Sequence, residues 1–188
     1  MTSEPTPAWF ETIEERTVYD GFSRVVVERL RAPDGSEVDR EIVDHDDAVA
    51  VVPVDDHGRV LLLKQYRQPL RGYLLEIPAG KLDVEGEAPQ DAAQRELAEE
   101  LGFRAGRLTP LSTVWNSAGW STERTHLYLG QDLVATAPPD GFVAQAEEAD
   151  MEIVPFALSD ALAMARDGDL VDAKTVLGLL LAAPILES

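Results

Sequence analysis

The run Arg24-Val25-Val26-Val27-Glu28-Arg29-Leu30, within residues 17–30, is rich in β-branched side chains and predicts a strand. Ala32-Pro33-Asp34-Gly35 supplies a turn, and residues 38–43 predict the returning strand of a hairpin. Residues 48–54 are almost continuously apolar and read as a buried strand. The turn Asp55-Asp56-His57-Gly58 follows, then a strand over 60–65. A shorter strand over 73–77 is stopped by Pro78-Ala79-Gly80. The spacing then changes. Residues 87–101 carry helix formers throughout, with Ala92, Ala93, Leu97 and Leu101 as the apolar face, Gly86 before and Gly102 as the stop. Strand-like pieces return at 108–115 and 125–129. A Pro-rich loop covers 135–141, and acidic residues 146–150 lead into a strand at 152–155. Ser159 is placed to cap a helix ending at Arg166 before Gly168, and Asp172 opens a last helix to about Ala183. Strands first, a helix in the middle and helices at the end predict a mixed α/β sandwich preceded by a β segment. Residues 1–7 are expected to be a loose end.

The chain has 188 residues, of which 45% are hydrophobic, enough to bury a real core. Its formal net charge of −19 argues against nucleic-acid polymers and anionic membranes as partners. Small anions stay open, because a bound cation or a local Arg reverses the sign at one site. There is no cysteine, which removes disulfides, thiolate zinc sites and cysteine nucleophiles. The most apolar stretch, 176–186, is too short to span a bilayer and contains Pro184. Residues 1–10 lack the basic start and apolar stretch of a signal peptide, so the expected compartment is the cytoplasm.

The chemistry is concentrated in Arg95-Glu96-Leu97-Ala98-Glu99-Glu100-Leu101-Gly102-Phe103. On a helix, Glu96, Glu99 and Glu100 stand at i, i+3 and i+4 and share a face. Three carboxylates so placed repel one another and call for a cation. An oxygen-only donor set favours a hard one, Mg²⁺ or Mn²⁺. Without metal the cluster should titrate as a coupled group with raised pKa values. Arg95 can orient one of the carboxylates. The bland alternative is a solvated acidic helix face, but the fixed neighbours Gly80, Glu87, Arg95 and Gly102 go with the three acids. Seven such identities coincide by chance about once in 10⁹ starts.

In order and spacing these residues resemble the Nudix box, Gly-x5-Glu-x7-Arg-Glu-U-x-Glu-Glu-x-Gly-U. Here six residues, 81–86, separate Gly80 from Glu87 where the box has five, and Phe103 takes the last aliphatic position. The extra residue falls in the loop before the helix, where an insertion costs little. Tyr66-Arg67, Glu76-Ile77-Pro78-Ala79-Gly80, Ser117-Ala118-Gly119-Trp120-Ser121-Thr122-Glu123, Arg40-Glu41-Ile42-Val43-Asp44-His45 and Glu147-Glu148-Ala149-Asp150-Met151 resemble the ADP-ribose pyrophosphatase branch of the Nudix hydrolases. That branch carries Pro where this chain has Ala118, which weakens the link to ADP-ribose itself.

The resemblance implies a Nudix-type α/β/α sandwich with a mixed sheet, residues 47–188. An N-terminal antiparallel β segment, 1–46, would serve dimerisation. It implies hydrolysis of ADP-ribose or a related nucleoside diphosphate sugar to a nucleoside monophosphate and a sugar phosphate, and a homodimer. Glu96 and Glu100 would hold metal, with Glu99 as a further ligand or catalytic group and Ala79 adding its carbonyl. The general base would be Glu147 or Glu148. Arg40, Arg67, Glu76, Ala118, Gly119 and Trp120 would contact substrate. Glu87 is expected to cap its helix rather than bind metal. Of Trp115 and Trp120, one is expected to line the pocket and the other to join the core. Trp9, Tyr19 and Phe22 are read as core or interface, or as a stack for adenine. The alternatives are a hydrolase of damaged nucleoside triphosphates and a silent nucleotide-binding Nudix domain. The second would be expected to lack the box acids.

Overall fold

The computed structural model describes residues 9–139, 141–142 and 150–187. The chain divides into two compact units, Met1–Asp46 with Ser117–Glu123, and Asp47–Asn116 with Arg124–Ser188. Ser117–Glu123, which sequence order alone assigns to the second domain, thus clusters with the first.

In the first unit, β1 (Glu11–Asp20), β2 (Arg24–Arg31) and β3 (Glu37–Asp44) form an antiparallel sheet in that order. The single strand expected over 17–30 is therefore two. Gly21-Phe22-Ser23 reverses the chain, and the Tyr19 ring lies over Gly21, where a side chain would overlap it. The 32–35 turn is as the sequence indicates: the Asp34 carboxylate accepts the Ser36 N–H at 2.9 Å, and Gly35 takes a positive φ. Polar ladders cross the sheet, with Arg24 reaching Glu15 and Asp44, and Arg29 reaching Asp39.

The second unit is built on β4 (Ala48–Pro53), whose six residues are all buried. β4 lies between β7 (Ala79–Lys81) and β9 (Arg124–Ala135), with β8 (Phe103–Trp115) outside β9. β4 and β9 are parallel and the other pairs antiparallel, so the sheet is mixed. A second sheet runs β10 (Glu152–Ala157), β5 (Arg59–Arg67), β6 (Gly72–Glu76).

Alternation sorts the side chains into two cores. Val49, Val51, Leu61, Leu63 and Tyr128 meet Ala92, Ala93, Leu97 and Leu101 of the helix α1 (Pro89–Glu96) and the π-helical turn that extends it (Leu97–Leu101). Ala50, Val52, Leu62, Leu127 and Leu129 meet α2 (Leu158–Asp167) and α3 (Ala173–Leu186) on the other face. Helices on both faces of the sheets give the α/β/α layering.

Local differences from the sequence expectation have physical causes. The middle helix starts at Pro89, which occupies the first helical position where its missing N–H costs nothing. Glu87 does not cap it; the residue before the helix is Ala88, without a side-chain cap. α2 begins at Leu158 rather than after Ser159, again uncapped by a side chain. β8 and β9 run several residues further than their apolar cores, because that part is a half-exposed antiparallel ribbon held by backbone pairing. Asp172 caps α3 as expected, accepting the Thr175 N–H.

Candidate active site

Two short pieces of chain meet at the site. One is β7, entered through Glu76-Ile77-Pro78. The other is the end of α1 and its π-helical turn, a local widening that recurs at functional positions. The sequence predicts only a stop at Pro78-Ala79-Gly80, because three residues are too few to show a period. β7 forms because it pairs with β4, Ala50 opposite Ala79 and Val49 opposite Gly80.

Glu96 is 8% exposed, and its carboxylate rests against Gly80 so closely that a side chain at that position would overlap it. This is the steric reason for glycine at the head of the motif. Glu100 reaches the next residue along: its Oε2 accepts the Ala79 backbone N–H at 2.9 Å. Burial pushes the Glu96 carboxyl up to about 7, against the pull of Arg95. Burial pushes Glu100 up to about 8, reinforced by the nearby Glu96 and opposed by the Ala79 N–H, Arg67 and Lys174. Both acids therefore bind protons more tightly than ordinary carboxylates, chiefly because burial penalises their charged form.

Arg95 organises the rest. Its guanidinium bonds Glu87 at 2.9 Å and 3.1 Å, Glu96 at 2.6 Å, Glu99 at 3.3 Å and the Lys81 carbonyl at 3.1 Å. Glu87 is thus spent on Arg95 rather than on the helix end, and the Glu87 bond is the main reason Arg95 holds its proton more tightly than usual. Glu99 shares Arg95 with Glu96.

Among the described residues no three acidic or histidine side chains converge as a ready-made metal cage. Glu96 and Glu100 are the buried oxygen donors that could hold a hard divalent ion here.

A NUDIX domain pattern matches residues 44–174. The ADP-ribose pyrophosphatase of Bacillus subtilis (strain 168) is 36% identical over 170 residues, 88% of each chain. The chain belongs to the NUDIX family. The ADP-ribose pyrophosphatase of Mycobacterium tuberculosis (strain ATCC 25618 / H37Rv) is also 36% identical, over 91% of this chain and 82% of its own. A solved crystal structure described as an ADP compounds hydrolase superposes with a TM-score of 0.82 at 25% identity. The match covers 95% of this chain and 94% of that one.

The remaining residues singled out in this NUDIX chain fall as follows. Arg67, at the end of β5, grips Glu76 with two bonds, Nε at 2.7 Å and Nη2 at 2.8 Å. Glu76 is 2% exposed and also pairs with Lys174, so its carboxylate is occupied by cations of the protein itself. Burial alone would raise its pKa; the Arg67 bond and the Lys174 charge win and hold it below the usual range. In the first unit, Arg40 lies on β3, exposed, its Nη1 on the Asp39 carbonyl. Ala118, Gly119 and Trp120 form an exposed turn tied to the end of β3, where the Val43 N–H donates to the Trp120 carbonyl at 2.7 Å. Gly119 faces open space. Trp115 and Trp120 are 57% and 56% exposed, so neither joins the core. Trp9, Tyr19 and Phe22 are exposed as well. Glu147 and Glu148 lie outside the described residues.

Sequence reading missed Asp172, Lys174 and Thr175 as neighbours of this site. Lys174 and Thr175 lie 98 positions along the chain from their partners Glu76 and Ile77, and no local pattern links them.

Proposed function

We propose that this chain is a divalent-metal-dependent NUDIX pyrophosphatase. Its reaction adds water across the diphosphate of ADP-ribose or a related nucleoside diphosphate sugar, releasing a nucleoside monophosphate and a sugar phosphate. One observation carries the reading: two buried acids of raised proton affinity, Glu96 and Glu100, gathered on the Ala79–Gly80 strand. The likeness to ADP-ribose pyrophosphatases over most of the chain supports the substrate class.

Glu96 and Glu100 would hold the ion, Mg²⁺ or Mn²⁺, with Glu99 and the Ala79 carbonyl as further donors. When bound, a divalent ion neutralises the diphosphate and polarises its phosphorus. The chain's own part is positioning. The Ala79 N–H fixes the Glu100 carboxylate, Arg95 fixes that of Glu96, and Gly80 leaves Glu96 room. Arg67, Arg40 and the Ala118-Gly119-Trp120 turn are assigned to substrate. Glu147 or Glu148 is assigned as the general base that takes the proton from the attacking water.

The same reading makes the protein a homodimer. β1 is exposed almost throughout, and Trp9, Phe10, Tyr19 and Phe22 add exposed apolar area in the same unit, which a second copy would cover. Light scattering on the purified protein at micromolar concentration is expected to give twice the chain mass.

The deciding experiment is a hydrolysis panel with Mg²⁺, covering ADP-ribose, other nucleoside diphosphate sugars and modified nucleoside triphosphates. It is run on wild type, Glu100→Gln, Glu147→Gln and Glu148→Gln. ADP-ribose turnover that needs both Mg²⁺ and Glu100 is the expected result. Turnover confined to another diphosphate sugar would assign the change in preference to Ala118. No metal-dependent turnover of any compound would count against an enzyme.

A further inference from the structure

The segment that enters the site is anchored at every step from Glu76 to Ala79. The Glu76 carboxylate is gripped by Arg67 and Lys174. The Ile77 N–H donates to Thr175 Oγ1 at 2.8 Å. The Pro78 carbonyl accepts the Val51 N–H at 3.0 Å, and the Ala79 N–H reaches Glu100. Two of these four anchors come from the first turn of α3. That turn is itself tightly tied. Asp172 accepts the Thr175 N–H at 2.9 Å, the Thr175 hydroxyl at 2.5 Å and the Lys174 ammonium at 2.9 Å. Thr175 is fully buried, and α3 seats close because Gly178 leaves room for Val52 and Ile77.

A buried ion pair and a buried backbone bond are costly to build and to break. Here both converge on Glu76 and Ile77, which lead through Pro78 into Ala79 and Gly80. We infer that Lys174 and Thr175 are positioning residues, which hold Glu76 and Ile77 so that Ala79 and Gly80 present a fixed surface to Glu100 and Glu96. The inference rests on the metal-site reading above. It assigns to the C-terminal helix a role in metal affinity and turnover rather than in substrate contact. Two of the three Lys174 ammonium donors are taken, by Glu76 and by Asp172.

The test uses Lys174→Met, whose side chain is 17% exposed and whose loss leaves Glu76 one cationic partner. Thr175→Val is the second variant, and Lys174→Arg the conservative one. Three measurements are made: Mn²⁺ binding to the metal-free protein by spin resonance, amide hydrogen exchange of the metal-free protein over residues 76–80, and kcat and KM for ADP-ribose. For Lys174→Met the expected outcome is Mn²⁺ affinity and kcat both lower by about tenfold, the range for residues that orient metal ligands. KM should change less than about twofold. Exchange at Ile77 and Ala79 should quicken, and Lys174→Arg should recover most of the loss. In a Glu76→Gln background, Lys174→Met should add little.

Three results would overturn the inference: unchanged exchange over 76–80, a raised KM with unchanged kcat, or a lower Tm with Mn²⁺ affinity and kcat intact. Glu100→Gln separates the two levels. If it binds Mn²⁺ as tightly as wild type, the metal-site reading fails and the role in metal affinity fails with it. The exchange data then still show whether α3 holds the segment.

Discussion

Gly80 and Glu96 show how tightly single residues are coupled at this site. Gly80→Ala would drive a methyl group into the Glu96 carboxylate, which must swing away because the Gly80 backbone is held by β4. The flexible end of one side chain gives way, so the fold should survive. We expect turnover to fall by about 100-fold, the effect of misplacing a catalytic group by an ångström. The Tm should shift by only a few degrees, read by calorimetry. The two acids also set a pH dependence. Their folded pKa values of about 7 and 8 lie above the ordinary 4.5. Between those limits the folded chain holds protons that the unfolded chain has released. Stability of the metal-free protein therefore declines as pH rises from about 4.5 to 8. Glu76, held below its usual value, contributes stability that is complete above about pH 5, so it does not mask this slope. In EDTA the Tm at pH 8.5 is expected to be on the order of 5 °C below that at pH 5.5. Mg²⁺ should close much of the gap, because it competes with those protons. A flat or rising Tm in EDTA would contradict the assigned burial of Glu96 and Glu100.

Two elements carry the site, and each has one residue that tests its hold. Leu97 opens the π-helical turn and is fully buried among Val49, Val51 and Tyr128. Leu97→Ala should cost about 3 kcal/mol in urea unfolding and lower activity with it, since the same turn carries Glu99 and Glu100. Asp172 is the cap of α3 and the second partner of Lys174. Asp172→Ala should cost about 1–2 kcal/mol with an unchanged denaturant slope. A loss near zero would mean that α3 is held by packing alone.

For the whole molecule the dominant physical fact is a net charge of −19. The local ion pairs are mostly exposed and contribute little each, so long-range repulsion outweighs them. Raising NaCl from about 0.02 M to 0.5 M shortens the Debye length severalfold and should raise the Tm. A fall would place the weight on the ion pairs of the first unit instead. Among the described residues, no helix is long and apolar enough to cross a membrane.

The 32–35 turn, the two-sided burial of residues 48–54, the stop of α2 at Gly168 and the start of α3 after Asp172 follow from local spacing. Periodicity and caps act over a few residues. So does the cluster Glu96, Glu99, Glu100, because one helical turn brings its members together whatever the fold. Tertiary structure decided what that cluster meets. β7 exists only through its pairing with β4, Glu87 turns from the helix end to Arg95, and Trp115 and Trp120 stay on the surface. Lys174 and Thr175 reach Glu76 and Ile77 across 98 positions. Contacts at that separation are set by how layers pack, and packing leaves no period in the sequence.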